Sequence, residues 1–235
     1  MNLKDLKKGD IKIILVILFV AFALYLFIEF SSEMAEGELT AIDNIILQAL
    51  RNPQNPKELI GPPGLLAFMQ FVSYLGGIYV LSAVSTIASL FFLLKKRTRT
   101  CFLFILSVTS GSALMVLLKY FFDRPRPDIV PHLGEFSLGS YPSGHSMVSA
   151  IVYLTIGALL ARSTKSLKMR AIYLSIAGVF VFLIGISRAF LGVHYPSDIL
   201  AGWCAGVIWS ALSYLLAKFL LRKKRQDPST SDRIS

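Results

Sequence analysis

Residues 101–122 read CFLFILSVTSGSALMVLLKYFF, with Lys119 the sole charged residue in the run. About 20 apolar residues are enough for a helix to cross the hydrocarbon core of a bilayer. There the backbone can bond only to itself, so the run is expected to be a transmembrane helix. Five more segments of the same kind follow from reading outward: about Ile13 to Phe30, Ser73 to Leu94, Ser143 to Ala161, Ala171 to Ser187, and Ile199 to Ala217. The second belongs to an uncharged stretch, Gly64 to Leu94, that exceeds one span. Counting back from Lys95 leaves its first part at the interface or as the extension of a tilted helix. The expected fold class is therefore all-α, a polytopic membrane protein with six transmembrane helices.

Composition agrees with that reading. The chain has 235 residues, 54% hydrophobic and 16% charged, against about 25% charged in soluble domains. Ionised groups placed in hydrocarbon cost several kcal/mol each, so lipid-solvated chains carry few. The length suits one membrane domain, expected over residues 1–225, followed by a disordered polar tail over 226–235. No small-residue cleavage site ends the first apolar run, so it is read as an uncleaved span rather than a signal peptide. Cys101 and Cys204 both lie in apolar stretches and read as small buried hydrophobes.

The net charge of +10 invites a nucleic-acid reading, but its distribution points to the membrane. Eighteen of the 24 Lys and Arg residues precede the first span, follow the sixth, or separate spans two from three and four from five. Basic loops stay cytoplasmic, so both termini are expected on the cytoplasmic side of a plasma membrane. Arg51, Lys57, Lys119, Arg124, Arg126 and Arg188 fall on the opposite, outer side, against the trend. The long outer segment of residues 31–63 contains Ile42, Ile45, Ile46 and Ala49 or Leu50 at helical spacing, with Asp43, Asn44 and Arg51 on the other side. It is expected to form an amphipathic helix on the outer surface, ended by Asn52-Pro53 and Asn55-Pro56. Such a helix could guide substrate or simply pack on the bundle.

Three clusters carry chemistry, all at outer helix ends. Where the third span ends, KYFFDRPRP (Lys119–Pro127) places Lys119, Arg124 and Arg126 around a proline-stiffened turn. Before the fourth span stands Tyr141-Pro142-Ser143-Gly144-His145. Ser143 is a good N-cap and Gly144 lets a ligand approach the backbone, so this helix start can receive an anion. Between spans five and six lie Ser187, Arg188, His194 and Asp198. Arg188 has the planar fork that suits phosphate oxygens. Asp198 can hold one His194 ring nitrogen and leave the other free as a nucleophile. Taken singly these have ordinary readings: a snorkelling lysine, loop arginines, a capped helix, a structural His–Asp pair. Together, on one face, they describe a phosphate site with a nucleophile and an acid. His132 lacks such company and reads as solvated.

These residues fill a three-part pattern, K-x6-R-P, P-S-G-H and S-R-x5-H-x3-D, and the chain thereby resembles the type 2 phosphatidic acid phosphatase superfamily. Lys119, Arg126 and Pro127 form the first part, Pro142–His145 the second, and Ser187, Arg188, His194 and Asp198 the third; the motif core spans 119–198. The resemblance implies that His194 attacks phosphorus, Asp198 orients it, and His145 is the general acid. It implies that Lys119, Arg126, Ser143, Gly144 and Arg188 bind the phosphate, with no cofactor and no metal. Arg124 matches no motif position and is expected to act only as an electrostatic helper. The implied substrate is a lipid phosphate, phosphatidylglycerol phosphate first and undecaprenyl diphosphate second, at a site ringed by Tyr120, Phe121, Phe122, Phe136, Tyr141 and Tyr195. Competing readings are a lipid phosphotransferase, and a transporter or non-catalytic lipid-binding protein. Transporters place their charged sites near the bilayer midplane, whereas these motifs lie at one end.

Overall fold

A computed structural model describes residues 8–135 and 138–223. The expected tail over 226–235 therefore lies outside the described residues, as does Phe136. The elements are α1 (Lys8–Glu36), α2 (Thr40–Ala49), β1 (Arg51–Asn52), β2 (Asn55–Leu59), α3 (Leu65–Leu75), α4 (Ile78–Leu94), α5 (Thr98–Phe122), α6 (Gly144–Ser149), a π-helical turn (Ala150–Leu154), α7 (Thr155–Ser163), α8 (Leu167–Phe190) and α9 (Pro196–Lys223). Among the described residues, five apolar helical stretches are long enough to cross a bilayer: Ile13–Glu36, Thr98–Phe122, Gly144–Ser163, Leu167–Phe190 and Pro196–Leu216. The pair α3 and α4 makes a sixth when taken as one broken span. The expected all-α, polytopic architecture is what the chain adopts.

The second span is where sequence and structure differ. A continuous helix from Ser73 to Leu94 is replaced by two helices bent by 47°. The break falls at Gly76-Gly77, where Gly77 is extended (φ −74°, ψ 158°). Counting apolar residues records polarity but not direction, and a glycine pair is where helix continuation is weakest. The asparagine-proline pairs after α2 also do more than end a helix. They sit in a hairpin that pairs Arg51 with Leu59 and Asn52 with Asn55.

Helix α2 forms over the expected residues, with Ile42, Ile45 and Ile46 exposed. Its other face is not solvated. Leu47 and Asp43 are buried, Leu47 against Val130, Ala189, Tyr195 and Ile199 at the turns around α9. Arg51, expected beside Asp43 on a polar face, is also buried and donates to the carbonyls of Phe190 (2.7 Å) and Pro131 (3.3 Å).

Close helix approach sets the bundle core. Gly202 and Gly206 of α9 face the start of α6 and the π turn. A Cβ on Gly206 would stand 2.6 Å from Ala150 Cβ and 2.7 Å from the Met147 carbonyl oxygen. Small residues permit such contact between membrane helices, where dispersion rather than hydrophobic exclusion holds the pair. Gly206→Ala is expected to destabilise the protein by about 1–3 kcal/mol through overpacking. Thermal unfolding in detergent reads this directly, and an unchanged midpoint would refute it.

Candidate active site

Local chemistry explains how each motif is presented. Helix α5 stops at Asp123, which takes a left-handed conformation (φ 39°), a position Asp tolerates better than most side chains. Pro125 and Pro127 then keep the chain extended past the helix end. Helix α6 begins at Ser143, whose Oγ accepts the Ser146 N–H (3.4 Å). Helix α9 begins with Pro196, suited to a first turn whose N–H groups lack partners. Asp198 reaches back to accept the Tyr195 N–H at 2.9 Å, as a carboxylate at the third helical position does in a capping box. Because α5 and α8 end where α6 and α9 start, the motif residues gather at one end of the bundle.

They meet at a cavity of about 990 Å³. At its motif end Lys119, Arg126, Gly144, His145, Arg188 and His194 line it. From there it runs between α4 and α5 along an apolar wall that includes Leu81, Leu90, Phe104 and Val108. The bend at Gly76 belongs to the same wall: a Cβ there would come within 3.2 Å of His145 Cδ2.

Carbonyl and hydroxyl oxygens orient the cations. Lys119 Nζ donates to the Gly139 carbonyl. Arg126 donates through Nε (3.0 Å) and Nη2 (2.8 Å) to the Leu138 carbonyl and through Nη1 to that of Val193. Arg188 donates through Nη1 to Ser73 Oγ (2.6 Å) and through Nη2 to the Glu135 carbonyl (2.9 Å). Its buried Nε has no hydrogen-bond partner among the described residues. Neutral acceptors of this kind fix where a cation points without adding negative charge, which suits a site that must receive an anion. Burial pulls the Arg126 guanidinium down to about 10, with Asp198 opposing the shift, so it stays charged at neutral pH.

His194 is almost fully buried (2% exposed). Its Nδ1 lies 3.3 Å from Asp198 Oδ2 and its Nε2 lies 3.3 Å from Arg126 Nη1. A carboxylate accepts only, so Nδ1 carries the proton and Nε2 keeps its lone pair. Burial holds the ring well below the ordinary histidine range, and the charges of Arg188, Arg126 and Lys119 push the same way. The ring is neutral at physiological pH, as a nitrogen nucleophile requires. Asp198 Oδ2 also accepts from Ser140 Oγ, and Oδ1 accepts from Arg124 Nη1 (2.6 Å).

Several expected positions turn out differently. Ser143 does not line the cavity. Its Oγ accepts from Ser146 N and from Ser146 Oγ (3.1 Å), and it is fully buried. Arg124 also lies away from the cavity, bonding Asp43, Ser197 and Asp198, with its guanidinium 4.1 Å from the Tyr195 ring centre. Of the expected aromatic ring, Tyr120 and Phe121 are exposed, but Tyr141 and Tyr195 are buried. Tyr141 packs on Phe122 and its hydroxyl shares a 2.8 Å hydrogen bond with Ser31. His132 is exposed, as expected, with Nε2 at the Pro127 carbonyl. Ser73, Ser140, Ser197 and Asp43 support the site without any motif to announce them. Single serines in apolar helices or loops carry no such signal.

The family model described as PAP2 superfamily matches residues 100–222. Phosphatidylglycerophosphatase B of Bacillus subtilis (strain 168) is 34% identical over 168 residues, 71% of this chain and 81% of that protein. An undecaprenyl-diphosphatase of Sulfolobus acidocaldarius is 29% identical over 210 residues, 85% of this chain and 88% of that one. The crystal structure of a transmembrane PAP2 type phosphatidylglycerolphosphate phosphatase from Bacillus subtilis aligns with a TM-score of 0.74 at 30% identity, over 87% of this chain and 96% of that chain. With the motif residues gathered at one cavity and the matched region taking in all of them, the chain belongs to the PAP2 superfamily.

Proposed function

We propose that this protein is a membrane lipid phosphatase working through a phosphohistidine on His194. One observation carries the reading: His194 lines a cavity together with Lys119, Arg126 and Arg188, its Nδ1 held by Asp198 and its Nε2 turned to Arg126 Nη1 at 3.3 Å. The Nε2 lone pair forms the N–P bond as the P–O ester bond breaks. His145 gives its proton to the departing oxygen. Water then adds to phosphorus with His145 as base, and the N–P electron pair returns to Nε2. Lys119, Arg126, Arg188 and the Gly144 N–H stabilise the oxygens throughout. Ser143 supports this by capping α6 rather than by touching phosphate.

A lipid substrate follows from the cavity, which continues from the cationic end along an apolar wall between α4 and α5. A phosphate head and its chain fit that polarity gradient better than a soluble sugar phosphate does. Phosphatidylglycerol phosphate is the first choice, by similarity to the Bacillus subtilis relative. Undecaprenyl diphosphate is the second, by similarity to the Sulfolobus one, which spans more of the chain. The loop charges favour a plasma membrane with both termini cytoplasmic, the site outside, and α2 lying on the outer surface.

Purified protein is expected to release phosphate from at least one of these lipids in detergent micelles. The two substrates and phosphatidic acid are to be assayed side by side, and inertness on all of them would refute the reading. The scheme uses no metal, so activity is expected to persist in excess EDTA. Loss restored by Mg²⁺ would overturn that part alone.

A further inference from the structure

Asp43 lies on α2, outside residues 100–222 that the family model matches and outside all three motifs. It is nevertheless 1% exposed. Its Oδ1 accepts the Ser197 N–H (3.0 Å), and its Oδ2 accepts from Ser197 Oγ and from Arg124 Nη2 (3.0 Å). Nη1 of Arg124 donates to Asp198 Oδ1 (2.6 Å) and Ser197 Oγ (2.8 Å). Asp198 in turn holds His194 Nδ1. Four side chains thus form one buried line: Asp43, Arg124, Asp198, His194. Neither Asp43 nor Arg124 lines the cavity, so neither can act by touching substrate.

The charges along that line give Asp43 a purpose. Arg124 by itself would cancel the negative charge of Asp198, and His194 would then sit beside a neutral pair. With Asp43 present, the two carboxylates and one guanidinium sum to one negative charge. Attack on phosphorus makes the His194 ring cationic, and that single negative charge then balances it. In a poorly screened interior such a difference matters far more than in water. Burying a second carboxylate is costly unless it serves something. Leu47 and Arg51 anchor α2 against the turns that carry the site, so the carboxylate is rigidly delivered.

We propose that Asp43 is a positioning residue for phosphoryl transfer: through Arg124 it fixes Asp198 and restores the negative charge that the guanidinium would otherwise cancel beside His194. This rests on the reading of His194 as nucleophile.

The test uses full-length protein in micelles with a lipid phosphate, with wild type and His194→Ala as references. Asp43→Asn keeps the shape and removes the charge. It is expected to lower kcat by about 10–100-fold, by analogy with the loss of a carboxylate that orients a metal-bound histidine, with KM little changed. Removing both charges in Asp43→Asn with Arg124→Gln returns the charge of the line behind His194 Nδ1 to one negative, so kcat is expected to rise above that of Asp43→Asn. A merely structural role would instead make the two losses multiply, and that outcome overturns the proposal, as does wild-type kcat in Asp43→Asn. If Asp43→Asn does not fold, by size-exclusion profile, Arg124→Gln and the double variant decide between themselves. The proposal requires the double variant to be at least as active as Arg124→Gln, and lower activity overturns it. An inactive wild type would instead sink the phosphatase reading itself.

Discussion

Replacing His194 with alanine is expected to lower turnover of a lipid phosphate at least about 10³-fold, or about 4 kcal/mol of barrier. In the proposed scheme the imidazole Nε2 lone pair bonds to phosphorus, and among the described residues at the cavity His194 is the one whose ring nitrogen is held by a carboxylate. The remaining cations can still bind phosphate and polarise it, so KM is expected to change much less than kcat. Folding should survive. The ring is buried, but the helices around it are held by the contacts of α1, α6 and α8 with α9. The lost hydrogen bond costs about 1–3 kcal/mol at most. Melting temperature and size-exclusion profile check the fold. Acid-sparing quench with radiolabelled substrate checks the intermediate: label bound to protein in the wild type and none in the variant. Turnover of the folded variant within about tenfold of wild type would remove His194 from the nucleophile role.

His145→Ala is expected to cost about 10²–10⁴-fold on a lipid phosphate, the usual range for a general acid–base. Position supports the assignment. His145 lines the same cavity in the first turn of α6, and the Gly76 bend of the α3–α4 pair closes against its ring. The size of the loss should depend on the leaving group. An alkoxide must be protonated as it departs, whereas nitrophenolate need not be. On nitrophenyl phosphate, formation of the phosphohistidine should be largely restored in the variant. Its hydrolysis still needs a base for the attacking water, so label should accumulate on His194 and a burst of nitrophenolate should precede slow turnover. Equal losses on both substrates, with no burst, would mean that His145 binds phosphate rather than moves a proton.

The spans and the motif residues were legible for related reasons. A long run without charge can only be stable in hydrocarbon as a helix, so Lys119 stood out as a cation at the end of one. The same rule made Arg188 conspicuous in the last turn of α8. What the sequence did not reveal was the partner of each group. Arg124 had the correct charge to touch phosphate, yet it is spent on Asp43 and Asp198. Asp43 read as the solvated side of an amphipathic helix, because helical periodicity separates polar from apolar positions without saying which polar face is covered. Ser143 had the chemistry of a phosphate ligand and of an N-cap, and at the start of α6 its oxygen accepts the Ser146 N–H. Tyr141 carried the composition of an interfacial aromatic, but it is buried against Phe27 and Phe122.

By itself, the sequence determined that this is a helical membrane protein with four cations and a histidine–carboxylate pair in the clusters at its helix ends. Lipid solvation permits few charges, so each one that persists in or beside a span must answer to something. Only the tertiary structure decided which of them answer to a ligand and which to one another. Asp43 and Ser197 are 154 residues apart and bonded, a relation that no local pattern encodes. A buried charge needs its partner in space, and the bundle supplies that partner from wherever in the chain its helices happen to pack.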